Sequence, residues 1–142
     1  MTGSRWGING SNISFEAYND TGADLSVKGL VAAISPAAYY EKVHLMVLGD
    51  QGKSLAAVDY GIVWQYGTTR AGSGTSITFA TGTDGTPNRL IGRDRQVLVE
   101  LKGFHTAGSG GPSISNTDTY AMSVKFTDSA GVALAPTEVP LP

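Results

Sequence analysis

The chain has 142 residues, of which 41% are hydrophobic and 15% charged, and its formal net charge at pH 7 is −2. This length predicts a single domain over residues 1–142, and the charge argues against nucleic-acid binding, which usually needs a strongly basic face. The absence of cysteine excludes disulfides, thiolate metal sites and a cysteine nucleophile.

Short runs of Val, Ile, Leu, Phe and Tyr alternate along the chain with clusters of Gly, Ser, Thr, Asn and Asp, a pattern typical of all-β proteins. It predicts strands over 12–18, 24–34 with a bend at Gly29, 41–48, 55–66 with a break at Gly61, 76–81, 96–104 and 119–127. From about residue 132 a proline-punctuated tail follows, which is expected to cap an edge or to extend away from the domain.

The number and spacing of these strands predict an all-β fold, a single antiparallel β-sandwich of about seven strands of the immunoglobulin or fibronectin type III kind. A jelly roll or a barrel is the alternative. No apolar run reaches about 18 residues, so no membrane span is expected. The first residues lack the apolar segment of a secretory signal, which predicts a cytoplasmic location or release by a non-classical route.

Two segments resemble ligand-binding loops, and both are interpreted as turns. Gly49–Ser54 follows an apolar run like a phosphate-binding loop, but Val47 stands where that motif needs its first glycine. The oxygen-rich segments 18–22 and 83–88 lack the regular ligand alternation of a calcium loop, and Asn and Asp favour turns for local reasons.

The two histidines do not define a catalytic or metal site. His44 lies inside a predicted strand, out of phase with its apolar neighbours, and is expected to face outward, whereas His105 opens a Gly- and Ser-rich loop. Neither has a ligand partner at metal spacing, and no Gly-x-Ser-x-Gly turn presents a nucleophilic serine. No enzyme activity, metal or cofactor is therefore expected.

The densest charge cluster contains Arg89, Arg93, Asp94 and Arg95. It allows a clamp for an anion or a partner. The favoured interpretation is a solvated loop whose charges pair weakly with one another.

Aromatic residues near strand ends and loops are the candidate carbohydrate-binding site: Trp6, Tyr18, Tyr39, Trp64 and Tyr66. The C–H face of a sugar ring stacks on indole or phenol, while polar side chains nearby bond its hydroxyls. Trp64 and Tyr66 are expected on one face of a strand. Trp64 and Tyr66 could equally belong to the core, because aromatic residues supply much of a small domain's buried area, and for Trp64 the core is the favoured interpretation.

Several short motifs follow one another in a distinctive order along the chain. Trp6 is followed by Ile-Ser-Phe-Glu-Ala-Tyr at 13–18, and later by Ile-Thr-Phe at 77–79 and Gln-Val-Leu-Val at 96–99. This order resembles that of the fungal immunomodulatory proteins. The resemblance implies a fibronectin-like sandwich that binds glycans. The chain departs from the family in an insertion at 106–118 and in the short segment before Trp6, where the family carries its dimerisation helix, so the family's dimer is not implied.

These observations predict a non-enzymatic, lectin-like module that recognises glycans or glycoproteins. It is expected to be a homo-oligomer, since individual lectin sites are weak and self-association raises avidity. The alternative is a structural or assembly protein, such as a virion or surface-layer component. Low charge, many small polar residues and a tail able to reach a neighbouring molecule favour that alternative.

Overall fold

The computed structural model describes residues 2–9, 11–49, 57–81, 89–115, 120–128 and 133–140. These residues form eleven strands and no helix. The strands are β1 (Thr2–Asn9), β2 (Asn12–Tyr18), β3 (Leu25–Val27), β4 (Gly29–Ser35), β5 (Lys42–Val47), β6 (Val58–Gln65), β7 (Ser76–Thr78), β8 (Arg89–Ile91), β9 (Gln96–Lys102), β10 (Ala121–Thr127) and β11 (Ala133–Pro140).

The strands form two main antiparallel sheets that pack as a sandwich, which confirms the predicted fold class. One sheet has the order β1-β2-β9-β5-β6, the other has the order β11-β10-β4-β7, and β3 and β8 form a separate ribbon. Alternate residues of β2, β5 and β9 point inward, as their burial patterns show. The two inner faces share one core, which includes the fully buried Phe15, Leu30, Leu45, Val99 and Phe126.

The strongest periodic segments were predicted well, and two glycines explain the differences. The predicted strand 24–34 is split into β3 and β4 next to Gly29, where an added Cβ would overlap the carbonyl oxygen of Ile77. The predicted break at Gly61 is wrong, because β6 continues through it. Gly61 adopts a φ of 71° and lies between two shifts in the register with β5, so it forms a bulge instead.

Three strands were not predicted from the sequence. β1 contains too many polar and glycine residues for a clear two-residue alternation, and β8 is only three residues long. β11 covers most of the proline-punctuated tail and pairs with β10 at the edge of its sheet. An edge position tolerates proline, which has no backbone N–H to donate to a neighbouring strand.

The sandwich has two ends that carry different groups of side chains. Loops 36–41, 66–75 and 103–115 meet beyond Lys42 of β5, and we call this the Tyr39 end. Segments 19–24, 48–49 and 92–95 meet beyond Val47, and we call this the Asn19 end. The six residues of β5 between them span about 20 Å.

Candidate functional site

Backbone hydrogen bonds join the three loops of the Tyr39 end. Tyr39 and His105 exchange backbone bonds of 3.0 and 2.8 Å, and Tyr40 and Ala71 exchange bonds of 2.9 and 3.1 Å. The Arg70 N–H donates to the carbonyl of Gly108 at 2.8 Å. The loops are therefore held in one arrangement before any ligand arrives, which lowers the entropy lost on binding.

The carboxylate of Glu41 contacts three polar side chains at this end. Its Oε2 accepts a hydrogen bond from Arg70 Nε at 3.0 Å and lies 3.5 Å from His105 Nε2, and its carboxylate is also hydrogen-bonded to the Tyr66 side chain. Burial by itself raises the pKa of Glu41. The Arg70 hydrogen bond and the nearby charges of His105 and Arg70 outweigh that effect, so the pKa lies below its ordinary value.

Arg70 links two of the loops. Its Nη1 donates to the carbonyl of Gly110 at 2.7 Å and reaches that of Ala107 at 3.4 Å, so it fastens loop 103–115 to loop 66–75. Its guanidinium carbon lies 5.2 Å from the centre of the Tyr66 ring, within the range of a cation–π contact. Arg70 and Glu41 together therefore fix the position of Tyr66.

Tyr39 lies against two glycines that make room for its ring. A Cβ at Gly72 would come within 2.5 Å of the Tyr39 ring, and one at Gly108 would touch it at 3.6 Å. The Tyr39 and Tyr66 side chains both remain partly exposed. Exposed hydroxyl residues share this end with them: Thr68, Thr69, Thr106, Ser109 and Ser113.

The structure separates the five aromatic residues predicted to bind carbohydrate. Tyr39 and Tyr66 lie in the loops of the Tyr39 end, and the Trp64 ring contacts Tyr40 of loop 36–41 at the same end. Tyr18 is 40% exposed but lies at the end of β2 beside the Asn19 end. Trp6 pairs with Phe15 within β1 and β2, and its side chain lies outside the described residues.

Trp64 is partly buried and packs against the core. Its ring meets Tyr40 edge-on, with 5.6 Å between the ring centres, and Tyr40 also packs on Phe104 at 5.9 Å. Tyr40 is fully buried, which raises its pKa, and its hydroxyl has no hydrogen-bond partner within the described residues. These contacts favour the core interpretation of Trp64, while its part in binding stays a prediction.

His44 faces outward as expected, and it lies between two carboxylates that sequence reasoning missed. Its Nδ1 is 2.9 Å from Glu100 Oε1 and its Nε2 is 2.7 Å from Asp59 Oδ1. Burial opposes the charge on His44, but the hydrogen bonds with Glu100 and Asp59 outweigh it and raise its pKa. The hydrogen bond with His44, followed by that from the Gly61 N–H, lowers the pKa of Asp59.

The arginine cluster is only partly the solvated loop that was predicted. Arg93 and Asp94 fit that prediction, since they are 64% and 58% exposed and their charged atoms are 3.8 Å apart. For Arg89 and Arg95 the prediction is wrong, because both are buried. Arg89 Nη2 donates to the Ala80 carbonyl at 2.6 Å, and Arg95 donates twice to the Leu48 carbonyl, at 2.8 and 2.7 Å.

Asn19 confirms the predicted turn at 18–22 and has a further structural role. It is fully buried, and its side-chain amide reaches the carbonyls of Ala23, Ile91 and Gly92 at 2.9–3.1 Å. Its Oδ1 accepts from the Thr21 hydroxyl at 2.7 Å. The other proposed loops, 83–88 and most of 49–54, lie outside the described residues.

The chain matches no protein-family model, no curated protein and no solved structure. The resemblance to the fungal immunomodulatory proteins therefore stays a prediction. In the part of the chain that the structure describes, no three metal-ligating side chains are grouped to hold an ion. Those residues likewise include no helix with the length and apolar character needed to cross a membrane.

Proposed function

We propose that the chain is a non-enzymatic carbohydrate-recognition module that binds glycan at the Tyr39 end. One observation carries this proposal. Two partly exposed tyrosine rings, Tyr39 and Tyr66, lie in loops that are held together around Glu41 and Arg70. A phenol ring offers an apolar face to the C–H groups of a sugar, and nearby hydroxyls and charged groups bond the sugar hydroxyls.

The composition of this surface supports recognition. Tyrosine supplies contact area at low conformational cost, while serine, threonine and glycine supply adaptable hydrogen bonding, a combination also found in antibody loops. The backbone bonds between the loops add preorganisation, so a ligand need not order them. Individual sites of this size are weak, and we include self-association in the proposal as the source of avidity.

The state of the histidines supports a non-enzymatic role. Both ring nitrogens of His44 are engaged by carboxylates, at 2.9 and 2.7 Å. His105 has Glu41 at 3.5 Å from one nitrogen and the Gly111 carbonyl at 3.3 Å from the other. A general base must reach the proton of its substrate with a free nitrogen, which neither ring offers in this arrangement.

A glycan array tests the proposal with a pair of matched tyrosine variants. Tyr66→Ala removes a ring at the Tyr39 end, whereas Tyr18→Ala removes a ring from the far end of the same sandwich. We expect the wild type and Tyr18→Ala to bind the same glycans, and Tyr66→Ala to lose at least tenfold in affinity. Binding to no glycan, or equal loss in both variants, would contradict the proposal.

A further inference from the structure

Two lysines face each other on neighbouring strands beside the Tyr39 end. Lys42 of β5 is the direct cross-strand partner of Lys102 of β9, and both side chains are partly exposed. Directly opposed side chains have Cβ atoms about 4.5–5.5 Å apart, and like charges at that spacing are destabilising. Neither ammonium group has an ion pair or hydrogen bond within the described residues.

The next pair on the same face shows the usual arrangement. His44 and Glu100 are also direct partners on β5 and β9, and they form the 2.9 Å contact between opposite charges. Glu41 does not relieve the lysine pair, since its carboxylate is committed to Arg70, His105 and Tyr66. A chain with a net charge of −2 thus keeps an unneutralised pair of cations at one position.

Carboxamides flank the two lysines across the sheet. Gln65 of β6 pairs with Lys42. Asn12 of β2 precedes Ile13, the partner of Leu101, so it lies beside Lys102 on the other side, where its Oδ1 accepts a hydrogen bond from the Gly103 N–H at 3.0 Å. The row of four residues crosses four strands, or about 14 Å, and ends next to Tyr66.

We propose that Lys42 and Lys102 bind the acidic group of a carbohydrate ligand, which makes an acidic polysaccharide the substrate class of this module. The inference rests on the proposed function, because the tyrosines of the Tyr39 end supply the sugar contacts beside the lysine pair. An anion between the two ammonium groups removes their repulsion, and the exposed carboxamide of Gln65 suits the hydroxyl of a neighbouring sugar.

The surrounding charges favour a polysaccharide over a nucleic acid. Glu100 and Glu16 lie further along the same face of the sheet, so the positive region is short. A nucleic acid carries a phosphate at every nucleotide and would place charges over these carboxylates. In a polysaccharide with widely spaced acidic groups, one acidic group can contact the lysine pair while a neighbouring hydroxyl contacts the Gln65 carboxamide.

Calorimetry with four probes tests this inference: a sulfated heparin oligosaccharide, a hyaluronan oligosaccharide, a neutral dextran oligosaccharide and single-stranded DNA. The test variant combines Lys42→Gln with Lys102→Gln. The matched control combines Lys28→Gln with Lys125→Gln, which changes the net charge equally at positions away from this row.

We expect the hyaluronan oligosaccharide, whose carboxylates are widely spaced, to bind at least as tightly as heparin, with a tenfold or greater loss of affinity in the test variant and less than a twofold loss in the control. Dextran that binds as tightly as the acidic probes, unaffected by the test variant, would overturn the inference and leave the proposed function standing. If binding of an acidic oligosaccharide depends on the two lysines but not on Tyr66, the placement of the sugar contacts at the Tyr39 end would be overturned instead. The inference would also be overturned if both lysine variants lost affinity equally or if DNA bound as tightly as the acidic oligosaccharides. It would likewise be overturned if none of the four probes bound.

Discussion

The two ends of the sandwich use polar side chains in different ways. At the Asn19 end, Asn19 is 0% exposed and Arg95 is 8% exposed, and both bond to backbone carbonyls. At the Tyr39 end, Arg70 also bonds to carbonyls, but it holds Tyr66, whose ring stays partly exposed. The bonds at the Asn19 end therefore stabilise the fold. Those at the Tyr39 end also hold a partly exposed ring at the surface.

This difference shows why the type of residue alone does not identify a binding site. The far end contains Asn, Asp, Arg and an exposed Tyr18, which together resemble a sugar site in the sequence. In the structure, Asn19 and Arg95 are buried and donate hydrogen bonds to backbone carbonyls, because buried carbonyls need donors. The Asn19 end also exposes Tyr18, Arg93 and Asp94, so the Tyr39 end differs in that two partly exposed rings lie in loops that are bonded to one another.

The largest effect on stability is expected from Asn19→Ala. The change leaves several buried carbonyls without their donor, so the free energy of unfolding should fall by about 3 kcal/mol, as urea denaturation would measure. Gln65→Ala removes an exposed carboxamide and should change stability by less than about 0.5 kcal/mol. A small effect of Asn19→Ala would refute the structural role given to the Asn19 end.

Arg70→Met should destabilise the Tyr39 end by about 2 kcal/mol, because it leaves Glu41 partly buried without its cation and two carbonyls without a donor. Arg93→Met is the control, since Arg93 is 64% exposed. Thermal unfolding of the two variants measures the difference. If Arg70→Met also leaves glycan binding intact, then Arg70 does not position Tyr66 for binding.

The contacts of His44, which lies between the two ends, make the free energy of unfolding depend on pH. The pKa of His44 is raised from its ordinary 6.5, so its stabilisation is fully present below that value and is lost as pH rises through the higher folded-state pKa. The pKa of Asp59 is lowered from its ordinary 3.8, so its contribution is present above that value and is lost as pH falls through the folded-state pKa.

Urea denaturation of the wild type and His44→Gln across pH measures this term. The wild type should be more stable than the variant by about 0.5–1 kcal/mol near pH 5, and the difference should approach zero at about pH 9. A difference that grows with rising pH would contradict the assigned sign. Glycan binding at the Tyr39 end should not follow this titration.

The smallest effect is expected from Tyr66→Phe. The ring remains for stacking, and only the hydroxyl's bond with Glu41 is lost, so stability should fall by about 1 kcal/mol or less. Calorimetry should show less than a threefold loss of glycan affinity, against the tenfold loss in Tyr66→Ala. Equal losses in both variants would mean that the hydroxyl, and not the ring, makes the contact.

The sequence predicted the fold class because alternation in segments such as 12–18 and 121–127 follows directly from a sheet with one buried face. It missed β1, whose residues alternate weakly, and β8, which has only three residues, and it did not assign a strand to the proline-containing β11. In the site, Tyr39 and Tyr66 were identified as aromatics near strand ends. Their association with Glu41, Arg70 and His105 depends on contacts between distant loops, which no local pattern records.

The most direct test is a map of backbone amide chemical shifts in isotope-labelled protein during titration with an acidic oligosaccharide. The account predicts shifts at saturating ligand for loops 36–41, 66–75 and 103–115 and for Lys42 and Lys102. Residues 19–24 and 92–95 should remain unchanged. Shifts confined to the Asn19 end, or no shifts at all, would contradict the assignment of recognition to the Tyr39 end.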